Sequence, residues 1–556
     1  MVAAEKIAAA GLPPLSPGPV HNLSAVVRAH GVTQPATLAL VDHRTGLRRT
    51  WAELCRDLDE TAAALLAAGL APGDRVALFV ATGPEFITLC YACLQAGLVP
   101  VLIDPGMGAN NVLRCVQEQA PRGLVGVAKA HALATVFRRA FATAKVRVLV
   151  DGSFFPGATP LDKLKKPGTT LPVYPAGPDA LAAIIYTSGS TGPPKGVQYT
   201  HAMFAAQPEP IRAMTGLAAG ETHVACFLPF SLFAVSMGLT TIFPDLDFRF
   251  PAKADPEKIL AALQGAATAF ASPALWEPFS AWLLQTRRTL PGLKKVLTAG
   301  APARPQLHER LLQSLPNGDI FTPYGATEAT PVAIMNGRAI LAETAALTRQ
   351  GQGTCVGAVA PGAHVKIIGI TDEAIATMAA ARELPAGEIG EIVVRGPFVT
   401  RSYDTGPDPR GAQANATSKI ADPSVPEGFW HRMGDVGTLD AQGRLWFCGR
   451  KGHRVETAHG TLHSIPVEAQ VEALWPERAA LVGVGARGAQ RAVVILEATN
   501  GKPRFERARM LEAVRALPGC DAIDDVLLHA GAFPVDRRHN AKIEREQLAR
   551  GAAERL

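Results

Sequence analysis

The chain reads as an α/β protein: a large N-terminal domain over residues 1–450, made of two βα sheet subdomains plus a small β-barrel, and a smaller mobile α+β domain over 451–556. Three observations lead there. Short apolar runs alternate with helix-period segments over 36–104, a rhythm that folds as parallel strands with helices on their faces. Beyond Gly353 the texture changes to alternating strands separated by glycines and prolines, which points to a small barrel or sheet. Finally, the hydrophobic run Leu445-Trp446-Phe447 stops at Gly449-Arg450-Lys451-Gly452 before a new α/β pattern over 479–517. Such a break marks a hinge into a separate unit.

Taken in order, 38–41 is expected as a strand, 51–70 as an amphipathic helix and 75–80 as a strand after the Pro72-Gly73-Asp74 turn. A helix over 84–96 and strands over 99–103, 123–127 and 146–150 continue the pattern, and a Pro/Gly-rich connector leads to the run Ile184-Ile185. The stretch 224–244 is uncharged and long enough to span a bilayer. Pro229, Ser231, Ser236, Gly238, Thr240 and Thr241 interrupt it, so it is read as strand, loop and helix lining an apolar pocket, with no transmembrane span. Further strands are expected near 269–273 and 295–302, and 404–427, rich in Gly, Pro, Ala and Asn, is expected as a surface loop.

At 556 residues the chain exceeds one core. A net charge of +6 over that length helps steer an anionic ligand but does not indicate nucleic acid. Eight cysteines without a regular framework imply reduced thiols and a cytoplasmic location. The Cys90/Cys93 pair falls on one face of an apolar helix with no second pair, which favours core packing over zinc or redox chemistry. The N-terminal residues lack the apolar segment and cleavage pattern of a signal peptide.

The most informative stretch is Ile184-Ile185-Tyr186-Thr187-Ser188-Gly189-Ser190-Thr191-Gly192-Pro193-Pro194-Lys195-Gly196. A buried strand runs into a loop whose backbone N–H groups and hydroxyls can surround phosphate oxygens, with Lys195 as a point charge. Lys195 lies between Pro194 and Gly196, which is not the Walker spacing. The cluster Phe321 to Glu328 then combines an aromatic ring, a glycine, a hydroxyl and a carboxylate, a set able to hold an adenine, a phosphate oxygen and Mg²⁺. Asp435, set between glycines, suits a ribose diol.

Together these motifs resemble the adenylate-forming superfamily of acyl-CoA synthetases, luciferases and nonribosomal peptide adenylation domains, over nearly the whole chain. The resemblance implies ATP and Mg²⁺ as cofactors. It implies phosphate contacts from Thr187, Ser188, Gly189, Ser190, Thr191, Gly192 and Lys195, and an adenine-side turn at Gly300-Ala301-Pro302. Tyr324-Gly325-Ala326-Thr327-Glu328 is similar to the family's Tyr-Gly-x-Thr-Glu motif, with Thr327 at the α-phosphate and Glu328 as metal ligand. Asp435 and Arg450 look like ribose contacts, Lys542 like the catalytic lysine, Gly452 stands at the hinge, and Phe230, Leu232 and Phe233 fall in the acyl-pocket motif.

A narrower likeness is carried by the runs 322–328, 353–357, 433–437, 443–451, 454–458 and 533–543, which resemble the β-lactone synthetases of bacterial long-chain olefin biosynthesis. Those enzymes act on 2-alkyl-3-hydroxyalkanoic acids. Gly452 replaces the usual acid of acyl-CoA ligases, Glu456 a usual lysine, and Leu462 stands where an arginine is usual. The resemblance therefore implies adenylation of a long-chain 3-hydroxy acid followed by intramolecular ring closure, and an assembly with other hydrocarbon-biosynthesis enzymes. An acyl-CoA or acyl-AMP ligase shares the first half-reaction and is the alternative; a silent lipid-binding scaffold on the same fold is the second.

Overall fold

The computed structural model describes residues 21–152, 154–187, 194–404, 406, 409–498, 506–535 and 542–556. Two sheets carry the large N-terminal domain. Among the described residues the first has eight strands, and its parallel centre runs Leu181–Thr187, Val99–Leu102, Arg75–Phe79, Gly123–Gly126 and Val146–Leu149 in spatial order. Its strands are apolar on both faces because helices cover both. Val76 and Leu78 join Leu54, Leu58 and Tyr91 in one core, while Ala77 packs with Val112 and Val116 in the other. Thr50 and Glu53 form a reciprocal capping box that starts the helix Trp51–Ala67. Cys90 and Cys93 are both buried in the helix Pro84–Gln95, and none of the eight cysteines is paired.

The second sheet has 14 strands among the described residues. Its parallel part runs Leu38–Asp42, Thr240–Phe243, Thr222–Ala225, Thr268–Ala271, Lys295–Thr298 and Asp319–Ala326. The last strand turns back on Ala329–Asn336, and antiparallel pairing continues through Thr354–Val359, Arg444–Arg450, Phe429–Leu439, Gly390–Arg395 and His364–Ile368. The β unit beyond Gly353 is thus hydrogen-bonded to the second α/β sheet. The uncharged stretch resolves into a strand, the nine-residue helix Leu228–Ser236 and another strand. Among the described residues no helix is long and apolar enough to cross a membrane.

One segment departs from the reading of the sequence. Within 404–427, expected as a surface loop, lie a helix, Pro409–Ser418, and a strand, Lys419–Ala421, paired with Phe429–Leu439. Proline opens a helix without losing a needed donor, and Ala412, Ala414 and Ala416 favour its continuation. The loop-like composition hid both.

In the smaller C-terminal domain the strands Ala479–Val484, Arg491–Ala498 and Ile523–Ala530 form a sheet. The helices Ser464–Leu474 and Arg507–Arg515 share one core with it, and Arg545–Ala553 packs on the other side. Gly452 lies in the short 3₁₀ turn Lys451–His453 that follows Arg450.

Candidate active site

A cleft of about 3270 Å³ lies at the carboxyl ends of the parallel strands and extends to the C-terminal domain. In doubly wound sheets that edge is where ligands collect, because loops leave the strands there in diverging directions. Phe79, Leu102, Ile185 and Thr298 line it from strand ends, and Arg450, Lys451, Gly452 and Lys542 line it from the turn after Arg450 and from the C-terminal segment.

On its polar side, strand register sets Asp435 directly opposite Arg450. Arg450 Nη1 donates to Asp435 Oδ1 at 2.6 Å, and the Tyr324 hydroxyl donates to Oδ2 at 2.7 Å. Burial, reinforced by the Asp435 charge, pushes the Tyr324 phenol well up, so it stays a donor. The Asp435 charge does the same for the Arg450 guanidinium and keeps it a cation. Gly325 permits the tight turn beside Tyr324, since a Cβ there would sit 2.5 Å from the Ala329 carbonyl oxygen. Gly300 follows the strand Lys295–Thr298 with φ +96°, in the left-handed region that favours glycine. Ala301 and Pro302 line the cleft after it.

Thr327 and Glu328 form the turn between the strands Asp319–Ala326 and Ala329–Asn336. The Tyr199 hydroxyl donates to the Thr327 carbonyl at 2.7 Å, Thr400 N–H to the Glu328 carbonyl at 2.8 Å, and the Tyr403 hydroxyl to Glu328 Oε1 at 2.9 Å. Lys195 Nζ stands 5.0 Å from the centroid of the Tyr403 ring. Burial lowers the Lys195 pKa, and the Glu328 charge opposes that. Among the described residues no group of three or more His, Cys, Asp or Glu side chains could hold a metal. The Glu328 carboxylate on the cleft nevertheless fits Mg²⁺, which keeps several waters and is held by one or two carboxylates plus substrate phosphates.

Lys542 is exposed on the C-terminal wall of the cleft. His453, in the turn Lys451–His453, is pushed down to about 3, by burial first and then by the charges of Arg545, Arg450 and Lys542. Three cations therefore converge where the two domains meet.

The other branch of the cleft is apolar. Phe230, Leu232 and Phe233 are buried and line it. Phe230 meets Phe270 edge-on at 4.8 Å, Phe227 stacks on Phe270 at 4.9 Å, and Phe233 lies 5.5 Å from Phe204. The Leu232 carbonyl accepts from the Tyr91 hydroxyl at 2.6 Å, which ties this helix to the first sheet's helical layer.

Of the residues singled out from the sequence, Lys195, Gly300, Ala301, Pro302, Tyr324, Gly325, Thr327, Glu328, Asp435, Arg450, Gly452, Lys542 and the three pocket residues all border this cleft. Thr187 ends its strand paired with Lys195. Ser188, Gly189, Ser190, Thr191 and Gly192 lie outside the described residues. Tyr199, Tyr403, Lys419 and His431 went unnoticed, because none stands in a phosphate-loop or Tyr-Gly-x-Thr-Glu pattern. The one available signal was a lone lysine, Lys419, in the otherwise uncharged run 411–421.

Comparison with known proteins defines the class. Residues 27–404 match the family model described as AMP-binding enzyme, and the chain belongs to that family: it is an ATP-dependent, adenylate-forming ligase. Within it, the chain is 41% identical over 510 residues to the olefin beta-lactone synthetase of Stenotrophomonas maltophilia (strain K279a), covering 90% of each. It is 40% identical over 516 residues to that of Xanthomonas campestris pv. campestris, covering 91% of each. The feruloyl-CoA synthase of an Amycolatopsis species is 28% identical over 453 residues, 80% of this chain and 83% of its own. ATP-bound MatB from Rhodopseudomonas palustris shares the fold with a TM-score of 0.77 at 20% identity, covering 96% of this chain and 99% of its own.

Proposed function

We propose that the protein uses ATP to adenylate a long-chain 2-alkyl-3-hydroxyalkanoic acid and then closes the adenylate to a β-lactone. The observation that carries this reading is one cleft with a polar branch, bordered by Glu328, Asp435, Arg450 and Lys542, and an apolar branch bordered by Phe230, Phe233 and Phe270. The likeness to olefin beta-lactone synthetases supplies the acceptor.

In the first step a carboxylate oxygen attacks the α-phosphorus and pyrophosphate leaves. Like-charge repulsion is the main obstacle, so cations must meet both the reacting centre and the departing group. Lys542 bridges the substrate carboxylate and the α-phosphate, Thr327 positions that phosphate, and Lys195 with Ser188 and Thr191 holds the β and γ groups. Gly300, Ala301, Pro302, Tyr324 and Gly325 border the adenine, and Asp435 and Arg450 take the ribose. Glu328 would hold Mg²⁺, which when bound neutralises phosphate oxygens. In the second step the substrate's own 3-hydroxyl oxygen attacks the acyl carbon, its proton is released, and AMP leaves as the four-membered ring forms. That oxygen is already tethered beside the carbonyl, so no second substrate is needed. Gly452 serves as the pivot between 1–450 and 451–556. Eight unpaired thiols suit a reducing, cytoplasmic compartment.

The test is product analysis by NMR and mass spectrometry after incubation with ATP, Mg²⁺ and a long-chain 2-alkyl-3-hydroxy acid, with and without CoA. A β-lactone and AMP formed without CoA are expected. A thioester formed only with CoA would assign the protein to the acyl-CoA ligases instead, and the absence of both products would overturn the proposed substrate.

A further inference from the structure

Glu328 carries two carboxylate oxygens on a flexible stem, and the Tyr403 hydroxyl occupies one of them, Oε1. Tyr403 is itself held from several directions. Its backbone N–H donates to Asn415 Oδ1 at 2.7 Å, and its carbonyl accepts from Asn415 Nδ2 at 3.0 Å. Tyr403 and Asp404 pair with Val197 and Gly196, and a Cβ on Gly196 would strike the Asp404 carbonyl oxygen, so the approach is as close as backbone allows. Asp404 is anchored further by Arg75 at 2.7 Å. Two lysine amino groups attend the Tyr403 ring, Lys195 Nζ at 5.0 Å and Lys419 Nζ at 5.9 Å from its centroid, and burial pushes Lys419 down to about 7. Lys419 donates to the Thr400 carbonyl and lies 3.1 Å from His431 Nδ1. Thr400 N–H is also the donor to the Glu328 carbonyl.

We propose that Tyr403 is a positioning residue: by holding Oε1 of Glu328 it presents Oε2 to the divalent cation of the nucleotide complex, and Lys419 keeps the ring in place. The inference rests on Glu328 as the cation ligand. A carboxylate fixed by a neighbouring donor loses less freedom on ligation and keeps one orientation, which is the general effect of hydrogen bonds behind a metal ligand. Nothing in the adenylation step itself requires a phenol at this place, and a merely structural tyrosine would not distinguish metal-bound from metal-free nucleotide.

The experiment compares wild type, Tyr403→Phe, Lys419→Met and Glu328→Gln as full-length proteins. ATP affinity is measured by calorimetry in Mg²⁺ and in EDTA, and the bound complex is followed by Mn²⁺ EPR. Phe retains the ring and its two lysine neighbours, so the thermal midpoint should stay near that of wild type. Tyr403→Phe should weaken ATP binding roughly tenfold in Mg²⁺, leave it unchanged in EDTA and alter the Mn²⁺ line shape. Lys419→Met should follow in the same sense with a smaller loss. Equal loss in both media, or no loss in either while Glu328→Gln loses metal-dependent affinity, overturns the positioning role and leaves Glu328 in place. If Glu328→Gln also matches wild type in Mg²⁺, the assignment of Glu328 falls and this inference with it.

Discussion

On the polar side of the cleft, Asp435, Arg450 and Tyr324 are hydrogen-bonded to one another, whereas on the acyl side Phe230, Phe233 and Phe270 meet only through their rings. The first arrangement fixes directions before any ligand arrives, so it can reward a ribose or a phosphate at one geometry and little else. The second fixes a volume. Apolar pockets discriminate by roughly 1–3 kcal/mol per methylene, so under the proposed function the apolar branch is expected to sort chains by fit and the polar branch to decide whether chemistry occurs. Substitutions on the two sides should therefore separate rate from selectivity.

The largest separation is expected at Lys542. It is exposed, so Lys542→Ala removes little packing and should leave the melting temperature near wild type. If Lys542 meets the developing charge as proposed, its loss should lower acyl-adenylate formation roughly a hundred- to a thousandfold. ATP/pyrophosphate exchange reads this directly, and exchange near the wild-type rate would remove Lys542 from the reaction. The binding of ATP alone should change far less.

Phe230→Ala probes the opposite side. Phe230 is 5% exposed and wedged between Phe270 and His223. Truncation should cost about 3–5 kcal/mol of stability through the cavity it leaves, and raise KM for a long-chain acid while KM for ATP stays put. Phe230→Leu keeps more volume and guards against a variant that fails to fold. A parallel rise in both KM values would show that the two branches are not independent.

The contrast also explains what could be read without coordinates. The residues that the proposed function assigns to phosphate, adenine, ribose and metal, Lys195, Tyr324 to Glu328 and Asp435, stand in short contiguous patterns, and the structure brings them to one cleft. Tyr403, Lys419 and His431 come from separate strands. Tyr403 reaches Glu328 because Tyr403–Asp404 pairs with the distant strand Lys195–Thr200, and no local periodicity encodes a pairing over that separation. The aromatic wall is similar: Phe270 and Phe230 meet because Thr268–Ala271 and Thr222–Ala225 are neighbours in the second sheet. Strand existence along 38–150 was legible from alternation with helices, whereas the helix in 409–418 was masked by its Pro, Gly and Asn content.

The smallest effect is a pH dependence of stability carried by histidines outside the polar cluster. His223, beside the Phe230 ring, is pushed down to about 3 by burial, and His308, in the helix Pro305–Ser314, to about 4. Both are fully buried, with His223 Nδ1 on Thr268 Oγ1 at 2.8 Å. An unfolded histidine titrates near 6.5. Between that value and the folded one the unfolded chain binds more protons, so stability is complete above about pH 6.5 and is lost as pH falls toward 4. The slope is about 1.4 kcal/mol per pH unit for each such histidine. Denaturant unfolding at pH 7, 6 and 5 measures it, and His223→Asn should reduce the slope by one proton's worth whatever it does to absolute stability. An unchanged slope would mean that His223 titrates in the fold as it does in the unfolded chain, and burial beside the Phe230 ring would then not hold it uncharged.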